Sequence, residues 1–288
     1  ATSSGVQQWS FGAFVPELEK EFGWSRAEVA TAPSLAFLSL ALGAPLVGLW
    51  VDRLSIRFGV VFGATMTGLC FASLSQVHEI WQFYALYFVS NFFRIWTTYI
   101  PFSTLMNRWF MRNRGKAVGL STAGYGLGGV IFAPLITFLV QSLGWRPAYM
   151  ASGLILFLTI VPLALLVLRD RPSDRGLEAD GDLAAEVLTT RTTHTARVSW
   201  TLREAMGDRT FWILNVAILL LWISQVSYGV HAQPFFESEG YQAGVAATLL
   251  GASTLGAAIA RAASGFVFDR FPSPRVFIFL LSCCLCIA

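Results

Sequence analysis

The chain has 288 residues, 55% of them apolar and only 13% charged, and its mean hydropathy is +0.59. A soluble globular domain carries about 25% charged residues, so a water-soluble fold, a disordered chain and a secreted disulfide scaffold are excluded: none could keep 24 Phe and 10 Trp from water. A formal net charge of +3 implies no nucleic acid or other polyanionic partner. The composition predicts an integral membrane protein.

The chain opens in an apolar stretch, Ala1 to Val15, with no initiator Met and no basic segment ahead of it, and closes in another, Val276 to Ala288. A spanning helix needs about 20 residues, so both ends read as half-spans and the sequence reads as a piece cut from a longer protein. Between them, whole spans are expected at 30–51, 57–77, 81–106, 116–141, 146–168, 210–231 and 244–268. Segments of this length suit helices rather than barrel strands. The expected fold is an all-α integral membrane bundle with nine membrane segments, seven of them whole.

Lys and Arg orient these spans. One set of loops holds 15 cations: Arg53 and Arg57, then Arg108, Arg112, Arg114 and Lys116, then seven arginines from Arg169 to Arg209, then Arg270 and Arg275. The other set holds three, Lys20, Arg26 and Arg146. The positive-inside rule places the 15-cation side in the cytoplasm of a cell membrane, plasma or inner. Residues 169–208 are polar and read as a cytoplasmic linker, with a short interfacial helix expected near Trp200–Ala205. The expected division is 1–168 as a first bundle, 169–208 as linker, and 209–288 as the start of a second bundle.

An internal repeat supports two bundles. Gly23-Trp24-Ser25 is followed by Gly48-Leu49-Trp50-Val51-Asp52-Arg53; Gly240-Tyr241-Gln242 is followed by Gly265-Phe266-Val267-Phe268-Asp269-Arg270. Both members of each pair are 217 residues apart. Parallel repeats about an axis normal to the membrane are one way transporters are built.

These residues resemble the major facilitator superfamily, whose signature after the second helix is G-x-x-x-D-R-x-G-x-R. Here it reads Gly48, Asp52, Arg53, Ser55 and Arg57, with Ser in place of the second Gly. Asn107-Arg108-Trp109-Phe110 and Arg114-Gly115-Lys116-Ala117 are similar to the family's loop between helices four and five. The resemblance implies a twelve-helix fold, of which the chain would hold half of helix one, helices two to eight and half of helix nine. It also implies a gate. Asp52 would face the positive N-terminus of a helix from the other bundle, Arg53 and Arg57 would hold it and meet anionic lipid heads, and Asp269 and Arg270 would form the second copy.

Two arginines fall within spans. Arg94 lies midway between Trp81 and Asn107, and Arg261 lies eight residues before Asp269. An ion in the bilayer is a functional hypothesis by default. Tyr87, Asn91, Arg94 and Thr98 step by 4, 3 and 4, which predicts one polar helical face. Gln225, Tyr228 and Asn215 on the seventh span are further candidates, as are Gln7, Gln8 and Trp9 on the first half-span, with His231 at the outer end of the seventh. With no acid inside a span, the expected ligand is a small organic anion, a carboxylate held by Arg94, Arg261 or both.

Ala260-Arg261 to Asp269-Arg270, the His231…Pro234 turn and Gly144-Trp145-Arg146 are similar to the monocarboxylate and oxalate/formate branch. There an Arg at the place of Arg261 binds substrate carboxylate, while an acid one turn earlier and a lysine in the first helix help couple protons. Here that turn has Ala257, and residues 1–15 hold no lysine, so protons and a counter-anion both stay open as coupling partners.

No catalytic, cofactor or metal site is expected. Gly124-Tyr125-Gly126-Leu127-Gly128-Gly129 satisfies G-x-G-x-x-G, but it lies within a span with no preceding strand. With Gly115 and Gly119 it predicts close helix packing. Cys70, Cys283, Cys284 and Cys286 lie in apolar runs, and His78, His194 and His231 lie far apart. The expected function is secondary active transport of small organic anions by alternating access. The alternatives are a proton-coupled drug or metabolite exporter of the same superfamily and, further off, a membrane sensor or enzyme.

Overall fold

The computed structural model describes residues 2–110, 113–176 and 202–240, with scattered positions between Ser253 and Arg270. Among these residues every regular element is helical. One turn, α1 (Thr2–Ser4), leads into a π-helical segment, Gly5–Trp9, and then α2 (Phe11–Phe22). Gly23 ends α2 at φ +68°, a conformation that costs glycine little. Ser25 then caps α3 (Arg26–Arg53): its Oγ accepts the Glu28 N–H at 3.3 Å, and the Glu28 carboxylate accepts the Ser25 N–H at 2.7 Å. Gly240, 217 positions after Gly23, also follows a long helix and also has positive φ, +90°.

α4 (Ile56–Ser73) continues to Gln76 through a 3-10 turn; α5 (Ile80–Arg94) and α6 (Tyr99–Trp109) follow, then α7 (Arg114–Leu143), α8 (Trp145–Leu166), α9 (Leu202–Gly207) and α10 (Arg209–Ser238). α3, α4 with its turn, α7 and α8 are long and apolar enough to cross a membrane. They coincide with the spans expected from hydropathy at 30–51, 57–77, 116–141 and 146–168, and α10 covers the span expected at 210–231. The short helix expected near the linker's end is α9. The spans expected at 244–268 and 276–288 lie outside the described residues, apart from the scattered positions.

The span expected as one helix over 81–106 is two. α5 stops at Arg94, Ile95–Thr97 form a 3-10 turn, Thr98 is extended, and α6 begins at Tyr99. Pro101, in the first turn of α6, is placed to suit the break. It has no N–H to offer the Thr97 carbonyl and its ring would clash with that carbonyl in a continuous helix, whereas the first turn of a new helix tolerates it. The bulky residues of the break fit because their neighbours are small. The Trp96 ring lies where a Cβ on Gly59 would approach it to 2.7 Å, and Gly63 is one turn further along α4; Phe92 and Ile95 lie over Gly43 of α3.

Burial of apolar area cannot drive helices together in an apolar solvent, so close approach of backbones has to. α4 and α8 meet at Gly68 and Gly153, where a Cβ on Gly68 would lie 2.9 Å from the Gly153 carbonyl oxygen. The π-helical segment packs on α7, with Gly5 directly against the Gly128 carbonyl. The close packing expected of the α7 glycines is thus found at Gly128, while Gly124 faces open space. Leu42, Leu46, Phe58, Phe138, Leu154 and Leu163 stay more than half exposed, as suits a lipid-facing exterior. Inside are two buried clusters, one around Phe14, Phe71, Phe83 and Tyr149 and the other around Val47, Val60, Ile95 and Trp96.

At the end away from the arginine-rich loops, Glu21 joins α2 to α8. Its carboxylate accepts from the Trp145 indole N–H and pairs with Arg146 at 2.9 Å, and Arg146 also donates to the Ser75 carbonyl at 2.8 Å. The hydrogen bonds from Trp145 and then Arg146 hold the Glu21 carboxyl below its usual range.

A valine at Gly68 or Gly153 is expected to destabilise the bundle by about 1–3 kcal/mol or more through overpacking, read as a lower melting temperature in detergent and loss of the monodisperse peak on size exclusion. Because the Glu21 carboxyl is lowered in the folded state, its contribution is present above the ordinary glutamate value near ~4.3 and is lost as pH falls through the lowered folded value. The melting-temperature gap between the parent and Glu21→Gln should therefore be open at pH 7 and close as pH falls through the lowered folded value.

Candidate functional site: a buried arginine at a broken membrane helix

Arg94 is the last residue of α5 and is 7% exposed. The break frees carbonyls in a medium that offers them no water, and side chains take over. The Thr97 hydroxyl donates to the Arg94 carbonyl at 2.9 Å, and the Thr98 hydroxyl donates to the Ile95 carbonyl at 2.8 Å. A guanidinium at a helix C-terminus also sits at the negative end of the helix dipole. Sequence, break and buried charge are thus one arrangement.

The polar face expected on this helix holds for Tyr87, Asn91 and Arg94, all buried. It does not hold for Thr98, which the break turns aside to half-exposure, and Thr97 takes its place among the buried residues. Asn91 donates through Nδ2 to the Tyr87 carbonyl at 2.9 Å. Two bonds tie this face to the first helix: the Tyr87 hydroxyl donates to the Gln7 carbonyl at 3.2 Å, and the Ser3 and Thr97 hydroxyls are 2.9 Å apart. These contacts bracket Arg94. Gln7 is 2% exposed, and neither its Oε1 nor its Nε2 has a hydrogen-bond partner among the described residues. Burying an amide in that state costs about 1–3 kcal/mol.

Of the other candidates, Gln225 and Tyr228 lie on α10 with side chains outside the described residues, and Arg261 and Asp269 lie outside them altogether. Ser3, Thr97 and the π-helical turn were missed by sequence reasoning. Pro101 was the available signal for the break, since a proline within a helical pattern ends or kinks the helix just before it.

The gate residues gather at the arginine-rich end. Gly48 is half-buried on α3, and Asp52 and Arg53 are exposed at its end. Arg57 does not hold Asp52 as expected: no ion pair joins Asp52 to Arg53 or Arg57. Instead the Arg57 guanidinium donates to the Leu165 carbonyl at the end of α8, and its main-chain N–H donates to Asp170 at 2.9 Å. A carbonyl at a helix end has no intrahelical partner, so a nearby cation caps it better than it serves an exposed carboxylate. Arg108 likewise caps α3 by donating to the Val51 carbonyl at 2.8 Å, and the Trp109 indole donates to the Arg169 carbonyl at 3.0 Å. Asn107-Arg108-Trp109 therefore pins α6 to α3 and to the chain after α8.

Ser55 stands where the signature has glycine. Its φ of −69° needs no glycine, and its Oγ caps α4 by accepting the Phe58 N–H at 3.2 Å. In the second copy, Phe266 lies under the Lys116 ammonium at the start of α7, 5.7 Å from the ring centroid, and Arg270 is exposed. Among the described residues no group of three or more His, Cys, Asp or Glu is arranged to hold a metal ion.

Ser55→Ala should cost about 1 kcal/mol through the lost cap, and Ser55→Gly only a few tenths, so melting in detergent should rank parent, Gly, then Ala.

Comparison with known proteins fits this geometry. The Major Facilitator Superfamily profile matches residues 1–288. The chain is 28% identical over 267 residues to the oxalate:formate antiporter of Oxalobacter formigenes, covering 93% of this chain and 60% of that protein. It is 26% identical over 279 residues to monocarboxylate transporter 11 of Mus musculus, covering 93% and 57%. It is also 26% identical over 180 residues to the membrane sensor protein UhpC of Escherichia coli strain K12, covering 62% and 40%. The chain thus spans 60% or less of the length of these relatives. With a helical bundle, the signature at Gly48–Arg57 and a profile match over its whole length, the chain belongs to the major facilitator superfamily.

Proposed function

We propose that the full protein is a secondary active transporter that carries small organic anions, carboxylates above all, across a cell membrane by alternating access. The observation that carries this reading is Arg94: a guanidinium 7% exposed, at a break in a membrane helix, on a face with buried Tyr87 and Asn91. A fixed buried cation attracts an anion, and the planar guanidinium fork matches a carboxylate. Arg261 would supply a second cation from the second bundle, and Gln225 and Tyr228 are further candidate contacts. Similarity to proteins named for oxalate, formate and monocarboxylates points the same way. Family membership is what sets catalysis aside.

The arginine-rich side would be cytoplasmic, with 1–168 and 209–288 as parts of two bundles and 169–208 as the linker between them. Gating would fall to Gly48, to Asp52 and Arg53, which are exposed at the end of α3, and to Asp269 and Arg270 of the second copy. Arg57 would serve the gate through α8. Exposed arginines at this end suit anionic lipid headgroups. Protons and a counter-anion are the two candidate coupling partners.

Counterflow by the full-length protein in liposomes, with a panel of labelled mono- and dicarboxylates, tests the reading. A charge-assisted contact contributes about 1.5–3 kcal/mol, so Arg94→Gln and Arg261→Ala should each lower uptake by about 10- to 100-fold. Unchanged uptake in both variants would overturn the anion site. Binding of carboxylates without any counterflow would favour a sensor over a transporter.

A further inference from the structure

We propose that Gln7 contacts the solute: its side-chain amide hydrogen-bonds an uncharged oxygen of the carboxylate whose anionic end Arg94 holds, and so sets which carboxylates are preferred. This rests on the anion reading above and adds a residue to that site.

Three observations meet at Gln7. It is 2% exposed, and both ends of its amide are without a hydrogen-bond partner among the described residues. It sits in the π-helical turn Gly5–Trp9, and such turns, which displace a side chain from the regular helical register, are frequent at functional sites. Gly5 packs against the Gly128 carbonyl, leaving that turn no room to shift toward α7. Finally, its own carbonyl accepts from Tyr87, and the Tyr87–Gln7 and Thr97–Ser3 contacts join the first helix to the face that carries Arg94, on either side of it in sequence.

The chemistry of an amide narrows the ligand. A carboxylate only accepts hydrogen bonds and would satisfy Nε2 but not Oε1, whereas a hydroxyl can both donate to Oε1 and accept from Nε2. With Arg94 on the carboxylate, Gln7 fits a hydroxyl on the adjoining carbon. Nothing else about the solute follows from this residue.

The test uses the full-length protein in liposomes and two labelled acids of equal charge and similar size, propanoate and 2-hydroxypropanoate. The parent should prefer the hydroxylated acid. Gln7→Met, apolar and of matched length, should raise half-saturation for 2-hydroxypropanoate about tenfold, equivalent to about 1.4 kcal/mol, while leaving propanoate within twofold. Its melting temperature without solute should be equal to the parent's or higher, because an orphan amide has been removed; a structural role would lower it and weaken both acids alike. Gln7→Asn, which keeps the amide one methylene short, should show partial loss of the preference and decides the matter where Gln7→Met does not fold. No preference in the parent, or an equal or zero shift for both acids in the variants, would overturn the proposal while leaving the Arg94 reading in place. A parent that carries neither acid, nor any other carboxylate, would remove both.

Discussion

A guanidinium inside the bilayer is the constraint around which this structure is arranged. An arginine at that depth costs at least about 3 kcal/mol even on lenient insertion scales, and only the protein can compensate it there. The chain does so by ending α5 at Arg94, so that the charge sits at the negative end of a helix. Pro101 suits the ending, and the Thr97 and Thr98 hydroxyls donate to the Arg94 and Ile95 carbonyls at the interruption. A continuous helix would have kept its carbonyls bonded internally and left the cation against apolar neighbours.

The same interruption explains where the glycines stand. The 3-10 turn carries two large side chains, Ile95 and Trp96, and these are received by Gly43 on α3 and by Gly59 and Gly63 on α4. The turn itself belongs to one of the two buried clusters, with Val47 and Val60, while Tyr87 belongs to the other. At the arginine-rich end, Arg57 and Arg108 cap the carbonyl ends of α8 and α3. Asp52 and Arg53 remain exposed, in keeping with a role toward another surface.

Most of the bundle was legible in the sequence because each whole span is apolar for about 20 residues and the loops between are charged. Arg94 was legible for the same reason, as a charge where hydropathy allows none. What was not legible depends on which backbone groups lose partners. The stripe Tyr87, Asn91, Arg94, Thr98 assumed an unbroken 3.6-residue period; the break replaces Thr98 with Thr97. Arg57 was expected beside Asp52 from the gate that the signature implies, but the Leu165 carbonyl at the end of α8 takes its guanidinium. The value of Gln7 came from its lack of partners, a property of packing that no sequence pattern carries. Ser55 shows the reverse: a departure from the signature that the local φ and a cap explain fully.

The central claim is that Arg94 holds the anionic end of the transported solute. A structure of the full-length protein with a small carboxylate bound tests it most directly. The account predicts carboxylate density within about 2.7–2.9 Å of the Arg94 guanidinium, between the first helix and the break. Density for the carboxylate elsewhere in the bundle, with Arg94 held only by protein groups, would contradict it.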